Sequence, residues 1–364
     1  MARQILNTLY VMTPHSYLHL ENDTLRVDVE RENERSEVSR AEGENARSKW
    51  QKKMQVPLHH LGSVVCLGNI MVSPALMHRC ADDGISLALL DGNGRFKARL
   101  EGAVSGNILL RQAQHRQAGN AGFALGVSRA MIAGKLRNAR QVLLRGAREA
   151  ADGEDTRVLT AASNALRSSV RNLPLAADLD SVRGIEGDAA KVYFSALNGI
   201  VRRDARQHFG MDGRTRRPPR DRINALLSFL YSMLMNDCRS ALEAVGLDPQ
   251  LGFLHAVRPG RAALALDLME EFRTIVADRL VLTLINRGQI GAGDFTEREG
   301  GAVLLEGDAR RAVVVAYQER KQEEITHPLL DTKMSIGLLP QLQARLLARH
   351  IRGESETYLP FLVR

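Results

Sequence analysis

Four carboxylates and one imidazole, carried on three separate segments, stand out as groups that can hold a divalent ion. Glu186 lies within RGIEGDAAKVYF, between Gly184 and Gly187. His255 closes LDPQLGFLH. Asp267 and Glu270 fall at i and i+3 in LALDLMEEFR, so a helix would present both on one face, with Glu271 at i+4 beside Asp267. The apolar run AALAL precedes Asp267, so part of this acidic cluster is expected to face the interior, where a carboxylate is costly unless paired or metal-bound. Oxygen ligands with a single imidazole suit Mn²⁺ or Mg²⁺ better than a closed zinc site. By spacing alone the signal is weak: a lone His beside a Gly-rich turn is more often structural, and an acidic pair on a helix is usually solvated.

The elements that must position these groups fall into two parts. A chain of 364 residues is expected to form two domains. The first hundred residues read as strands: ILNTLYV (5–11) and SYLHL (16–20), then turn chemistry at Glu21-Asn22-Asp23 before the alternating TLRVDV. Residues 28–53 are dense in both charge signs and poor in large apolar groups, and are expected to form a solvated, mobile excursion from the sheet. PLHHLGSVVCLG resumes the strand signal. SPALMHRCADDG then predicts a helix with Ser73 as N-cap, Pro74 at its first position and Gly84 closing it. ISLALLDGNGRFKARL predicts a hairpin.

Beyond about Gly106 the period changes to 3.6, over 107–118, 122–149, 156–171, 178–209, 221–246, 261–287 and a last helix near 336–352. The fold class is therefore α+β: a β-rich domain at 1–104 followed by a larger, mostly helical domain at 105–364.

Hydrophobic residues at 44% and charged residues at 25% exclude a disordered tail protein, a collagen-like repeat and a disulfide mini-scaffold. The net charge is +8 and not evenly spread, since Ser105 to Arg220 carries 20 Lys plus Arg against 10 Asp plus Glu. Segregated basic charge suits a polyanionic partner, because each neutralised phosphate releases condensed counterions. With only 8 Lys among the 50 basic residues, a GC-rich coding bias accounts for the arginine preference just as well. Three cysteines without CxxC spacing form neither a disulfide framework nor a zinc site. With no apolar leader and no run of about 18 apolar residues, the chain is expected to be soluble and cytoplasmic.

The run RRPPRDRINALLSFLYSMLMNDCRSALEAVGLDPQLGFLHAVRPGRAALALDLMEEFR resembles the central signature of the CRISPR-associated protein one family. RGIEGDAAKVYF upstream and AYQERKQEEITHPLL downstream match that family in the expected order. The tail motif and length are most similar to the bacterial type I-C branch.

This resemblance implies an integrase of spacer acquisition. Glu186, His255 and Glu270 take the places of the metal-binding catalytic residues, and Asp267 that of a supporting acidic residue. Tyr231 and Arg261 fall where an aromatic and a basic residue lie near DNA in relatives, while Arg214, Arg216 and Arg217 belong to an arginine-rich loop expected to be exposed and to hold DNA backbone.

The implied chemistry is Mg²⁺- or Mn²⁺-dependent strand transfer, in which 3′-hydroxyl ends of a short duplex protospacer attack the ends of a CRISPR repeat, with associated endonuclease activity. The implied assembly is a homodimer formed through the β domain, two of which are bridged by a dimer of CRISPR-associated protein two. A metal-dependent nuclease of branched DNA that does not join ends, and a non-catalytic DNA-binding scaffold, are the competing readings.

Overall fold

The computed structural model describes residues 7–30, 50–92, 94, 96–100, 102 and 108–363. It is a mixed α+β structure whose contacts divide into two compact units, Met1–Ser105 and Gly106–Arg364.

The first unit contains β1 (Asn7–Val11), β2 (Ser16–Glu21), β3 (Thr24–Glu30), β4 (Trp50–Pro57), β5 (Leu61–Leu67), β6 (Met71–Val72), α1 (Pro74–Asp82), β7 (Ser86–Leu90) and β8 (Phe96–Leu100). They make two four-stranded sheets, ordered β1-β5-β7-β8 and β4-β3-β2-β6. Asn22 and Asp23 both adopt positive φ (46° and 56°), the geometry of a tight hairpin turn, and this sets the β2–β3 register of Glu21 opposite Thr24. Ser73 caps α1 by accepting from the Leu76 N–H, and Gly84 beyond its end has φ 68°. Leu18, Leu25, Val64, Leu76 and Leu87 pack into one core, drawing on both sheets and the helix.

One expectation needs correction. Residues 28–30 and 50–53 do not leave the sheet but form the ends of β3 and β4, paired as Asp28↔Lys52, Val29↔Gln51 and Glu30↔Trp50. Their charges fit the sheet because Asp28 is buried with ionic partners, His19 (3.0 Å) and Arg26 (2.8 Å), while Gln51, Lys52 and Lys53 lie on the edge strand β4 and face solvent. The rest of the expected excursion, 31–49, lies outside the described residues.

The second unit is built on α2 (Ile108–Ala118), α3 (Ala121–Glu149), α4 (Gly153–Asn172), α5 (Leu179–Ala196), the short α6 (Arg203–Arg206) and α7 (Arg222–Val245). After these come α8 (Ala263–Met269), α9 (Arg279–Asn286), the hairpin β9–β10 (Phe295–Arg298, Ala302–Leu305), α10 (Gly307–Gln322), the hairpin β11–β12 (Glu324–His327, Thr332–Ser335) and α11 (Leu339–Ile351). The long α3 is the central post, with thirteen buried residues, including Met131, Ile132, Leu136 and Leu143.

The expected helix over 261–287 is broken. Glu270, Glu271 and Phe272 bond back three residues, to Asp267, Leu268 and Met269, so α8 ends in a tightened turn. A π-helical segment, Arg273–Asp278, precedes α9. No described helix is long and apolar enough to cross a membrane. All three cysteines are buried free thiols, and burial pushes Cys66 up to about 12.

Candidate active site

Three segments of the second unit converge on one cleft of about 380 Å³, lined by Arg183, Glu186, Leu254, His255, Ala256, Arg258, Arg261 and Glu270. Glu186 is carried on α5, whose start is fixed by Asp178 accepting from the Ser181 N–H at 2.8 Å. A Cβ added to Gly184 or Gly187 would meet nothing, so the helix surface on either side of Glu186 is bare.

His255 ends the loop that follows α7, which Gly246 stops with φ 93°. Gln114 pins the start of that loop, accepting from the Asp248 N–H at 2.8 Å and donating to Asp248 O (2.8 Å) and Leu251 O (3.0 Å). Gly252 then passes so close to α8 that a Cβ would fall 2.7 Å from Asp267 Oδ2 and 2.8 Å from the Ala263 carbonyl carbon, which only glycine allows. Arg183 ties the loop to α5, its Nε and Nη2 donating to Leu254 O at 2.8 and 2.6 Å.

Asp267, with no solvent exposure, organises the end of this loop. Its Oδ2 accepts from the N–H groups of Phe253 (2.7 Å) and Leu254 (3.0 Å), and its Oδ1 from the N–H of His255 (3.0 Å) and from His255 Nδ1 (2.6 Å). A carboxylate can only accept, so Nδ1 carries a proton, and when the ring is neutral its lone pair is on Nε2. That nitrogen is 4.0 Å from Glu270 Oε1. Every Asp267 bond is directed at the loop, and this carboxylate holds the His255 ring in place.

Glu270 is 2% exposed and sits among cations. Arg273 Nη2 lies 2.9 Å from its Oε1 and Lys135 Nζ 2.8 Å from its Oε2. Burial would raise its pKa, but Arg273, Lys135 and His255 reverse the effect and hold the carboxyl well below its ordinary value. Lys135 also donates to Glu186 Oε1, so one ammonium bridges the two carboxylates.

Glu271 leaves the cluster, because the tight turn after Met269 directs it elsewhere. Its carboxylate accepts from the Phe361 N–H (2.7 Å), Gln343 Nε2 (2.9 Å) and the Tyr358 hydroxyl, and so anchors the C-terminal segment. Asn138 adds to this anchor, donating to both Glu271 O and Phe361 O at 2.9 Å.

The expected DNA-contacting residues separate into two groups. Arg216 and Arg217 are exposed, and after burial the nearby charges of Arg258, Arg216 and Arg217 lower the basicity of Arg261; of these four, Arg258 and Arg261 line the cleft. Arg214 does not have the exposed position expected of it. Its guanidinium donates to Asn224 Oδ1 (2.6 Å) and Ser228 Oγ (3.0 Å), because Asn224 organises the loop before α7 through Thr215 N (3.1 Å) and Gly213 O (2.9 Å). Tyr231 is likewise built in: its hydroxyl donates to Asp278 Oδ1 at 2.6 Å, and its ring lies 5.3 Å from the Arg214 guanidinium and 5.0 Å from that of Arg273.

Sequence reasoning missed Lys135, Arg183 and Arg273. Arg273 could have been found at i+3 from Glu270. Lys135 carried a fainter signal, a lysine amid apolar helix positions in an arginine-biased chain.

Among the described residues, no three His, Cys, Asp or Glu side chains close on one ion-sized position, since Lys135 stands between Glu186 and Glu270. The donor set nevertheless fits a hard divalent cation: two carboxylates and one imidazole nitrogen face one cleft, and a cation already sits between the carboxylates.

The fold is one it shares with Cas1 proteins and a casposase. A casposase bound to integration product superposes with a TM-score of 0.79 at 19% identity over 97% of this chain and 92% of the other. A Cas1 protein from Thermotoga maritima gives 0.77 at 20% identity over 97% and 99%. The family model of the CRISPR associated protein Cas1 matches residues 9–319, and the chain belongs to that family. It is 50% identical over 360 residues, 99% of each chain, to the CRISPR-associated endonuclease Cas1 1 of Moorella thermoacetica, and 45% identical over 359 residues, again 99% of each, to that of Chlorobaculum tepidum.

Proposed function

We propose that this chain is a CRISPR adaptation integrase that joins 3′-hydroxyl ends of a short duplex to the CRISPR repeat, and that its site also cleaves DNA. The observation that carries this reading is the convergence of Glu186, His255 and Glu270 on a cleft whose other charged lining residues are Arg183, Arg258 and Arg261. Such a lining suits a phosphodiester, with arginines to hold its oxygens and acidic and imidazole groups to hold a cation. The relatives' names as endonucleases and the casposase's integration product support the same chemistry.

Glu186, Glu270 and Nε2 of His255 would hold Mg²⁺ or Mn²⁺, which when bound supplies charge neutralisation at the non-bridging oxygens and polarises the attacking or leaving oxygen. The chain's own residues do the rest. Arg258 and Arg261 hold the target phosphate in the cleft, while Arg216 and Arg217 extend the contact along the backbone. Asp267 fixes the His255 ring, so that Nε2 faces the reacting oxygens as ligand or as proton acceptor. In joining, the incoming 3′ oxygen bonds to phosphorus and loses its proton, and the bond to the target's 3′ oxygen breaks and that oxygen takes a proton. In cleavage, water takes the place of the incoming hydroxyl.

The β-rich unit is proposed to pair two copies and to contact CRISPR-associated protein two; a solved Cas6-RT-Cas1--Cas2 complex, matched over 36% of one of its chains at TM-score 0.77, supports a partner of that kind. A cytoplasmic location and the type I-C branch belong to the same proposal.

The test is a purified reaction with a repeat-bearing plasmid, labelled duplex and Mn²⁺ or Mg²⁺. Covalent joining that is lost in Glu186→Ala, His255→Ala and Glu270→Ala, with bulk DNA binding retained, is expected. Nicked but unjoined products would favour the nuclease reading, and normal joining by two of the three variants would overturn the site.

A further inference from the structure

Both oxygens of Glu270 are already engaged, Oε1 by Arg273 at 2.9 Å and Oε2 by Lys135 at 2.8 Å, and Glu186 Oε1 accepts from the same Lys135. A divalent ion shared by these carboxylates therefore has to displace a cation. Arg273 is fixed: it is 9% exposed and its guanidinium stacks 5.0 Å from the Tyr231 ring, which is itself tied to Asp278. Lys135 presents a compact ammonium on a flexible four-carbon stem, and the ion pairs to Glu186 and Glu270 are its polar partners. Charge balance points the same way. Two carboxylates with Lys135 and Arg273 are neutral, and adding a divalent ion would leave an excess of two positive charges in a site where Glu270 is 3% exposed by side chain. Release of Lys135 removes one of these.

We infer that Lys135 is the resident counter-ion of the Glu186–Glu270 pair and sets the affinity for a divalent ion by competing with it. The inference rests on the metal reading above, and Lys135 is a positioning residue that acts through the two carboxylates. Without it the carboxylates repel each other across the site, so the metal-free protein is less stable and the ion restores more of that stability.

The experiment is calorimetric titration of MnCl₂ into the full chain without DNA, with thermal unfolding at each Mn²⁺ concentration. Lys135→Met keeps the stem and removes the charge. It is expected to bind Mn²⁺ about tenfold more tightly, to unfold at a lower temperature without Mn²⁺, and to gain more from it than the wild type. Lys135→Arg keeps the charge and is expected to bind no more tightly than the wild type. A readout on the wild type covers a failure of Lys135→Met to fold: amine-reactive labelling of Lys135, followed by mass spectrometry, should rise on adding Mn²⁺ relative to the other lysines. Unchanged or weaker Mn²⁺ binding by Lys135→Met, or unchanged labelling, overturns the competition and leaves the metal reading intact if the wild type binds. Absence of Mn²⁺ binding by the wild type overturns both.

Discussion

Replacing Asp267 with Asn tests how the histidine is held. The carboxylate offers two acceptor oxygens to four donors: the N–H groups of Phe253 and Leu254 on Oδ2, and the N–H and Nδ1–H of His255 on Oδ1. An amide has one acceptor oxygen, so whichever way it turns its NH₂ faces two donors. Turned towards Phe253 and Leu254 the NH₂ forfeits two buried hydrogen bonds, and turned towards His255 it forfeits the backbone N–H bond while the ring re-pairs through Nδ1; at about 1–3 kcal/mol per unsatisfied group the fold loses roughly 3 kcal/mol. In a domain of this size that lowers the melting temperature by about 6–12 °C. When the NH₂ faces His255, the ring moves its proton to Nε2 and the lone pair leaves the cleft. Loss of a group that orients a ligand typically costs about 10–100-fold, and Mn²⁺-dependent DNA cleavage should fall by that amount, partly recovered at high Mn²⁺. Thermal unfolding and a cleavage assay across Mn²⁺ concentrations measure both effects. A variant with unchanged melting temperature and full cleavage would refute the reasoning. If instead Asp267→Asn is dead at every Mn²⁺ concentration while Glu270→Gln is nearly normal, Asp267 is the ligand.

Glu270→Asp should retain measurable Mn²⁺-dependent activity, since the ligand type is kept and only its reach shortens, whereas Glu270→Gln should lose far more; equal losses in single-turnover cleavage would count against Glu270 as a ligand. Changing Arg216, Arg217 and Arg261 together to Ala should weaken duplex binding and lower the slope of log affinity against log salt by about one per lost phosphate contact, measured by anisotropy, and an unchanged slope would show them to be only solvated surface. Arg214→Ala should leave that slope intact and lower the melting temperature, because its guanidinium holds Asn224 and Ser228. Burial pushes Asp278 up to about 6 against the Tyr231 and Tyr193 donors, so its contribution to stability is full below about pH 4 and is lost as pH rises towards 6. Asp278→Asn should flatten that part of the urea-unfolding profile, and an unaltered profile would contradict the assignment.

The sequence was legible where local physics decides. Ser73, Asp178 and Asp221 each cap a helix through their own side chains, and Asn22-Asp23 makes its turn with the positive φ that those residues tolerate. Glu186, His255 and Glu270 were picked from three segments, and the fold brings all three to one cleft. Lys135 and Arg183 were not picked, because their roles depend on partners 51 and 71 positions away. Arg214 was misread for a related reason. RTRR before two prolines has the composition of an exposed loop, and only the fold shows Asn224 folded back onto it. Residues 28–30 and 50–53 were misplaced because charge density was taken as a sign of solvated loop, although an edge strand such as β4 can carry charge on its open face.

The break after Met269 accounts for how one short stretch serves several neighbours. A regular helix turns about 100° per residue, which would leave Asp267 and Glu271 within about 40° of each other on one face. Asp267 instead bonds the loop at 253–255, and Glu271 bonds groups at 343, 358 and 361. Between them Glu270 reaches the cleft, and after the π-helical segment Asp278 receives the hydroxyls of Tyr193 and Tyr231. The tightened turn and the π-helical segment change the angular spacing between successive side chains, so four acidic residues within twelve positions reach four different sets of partners. With neighbours this close in sequence aimed this differently, a carboxylate that faces the cleft and one that holds the histidine can share a single turn without competing for the same donors.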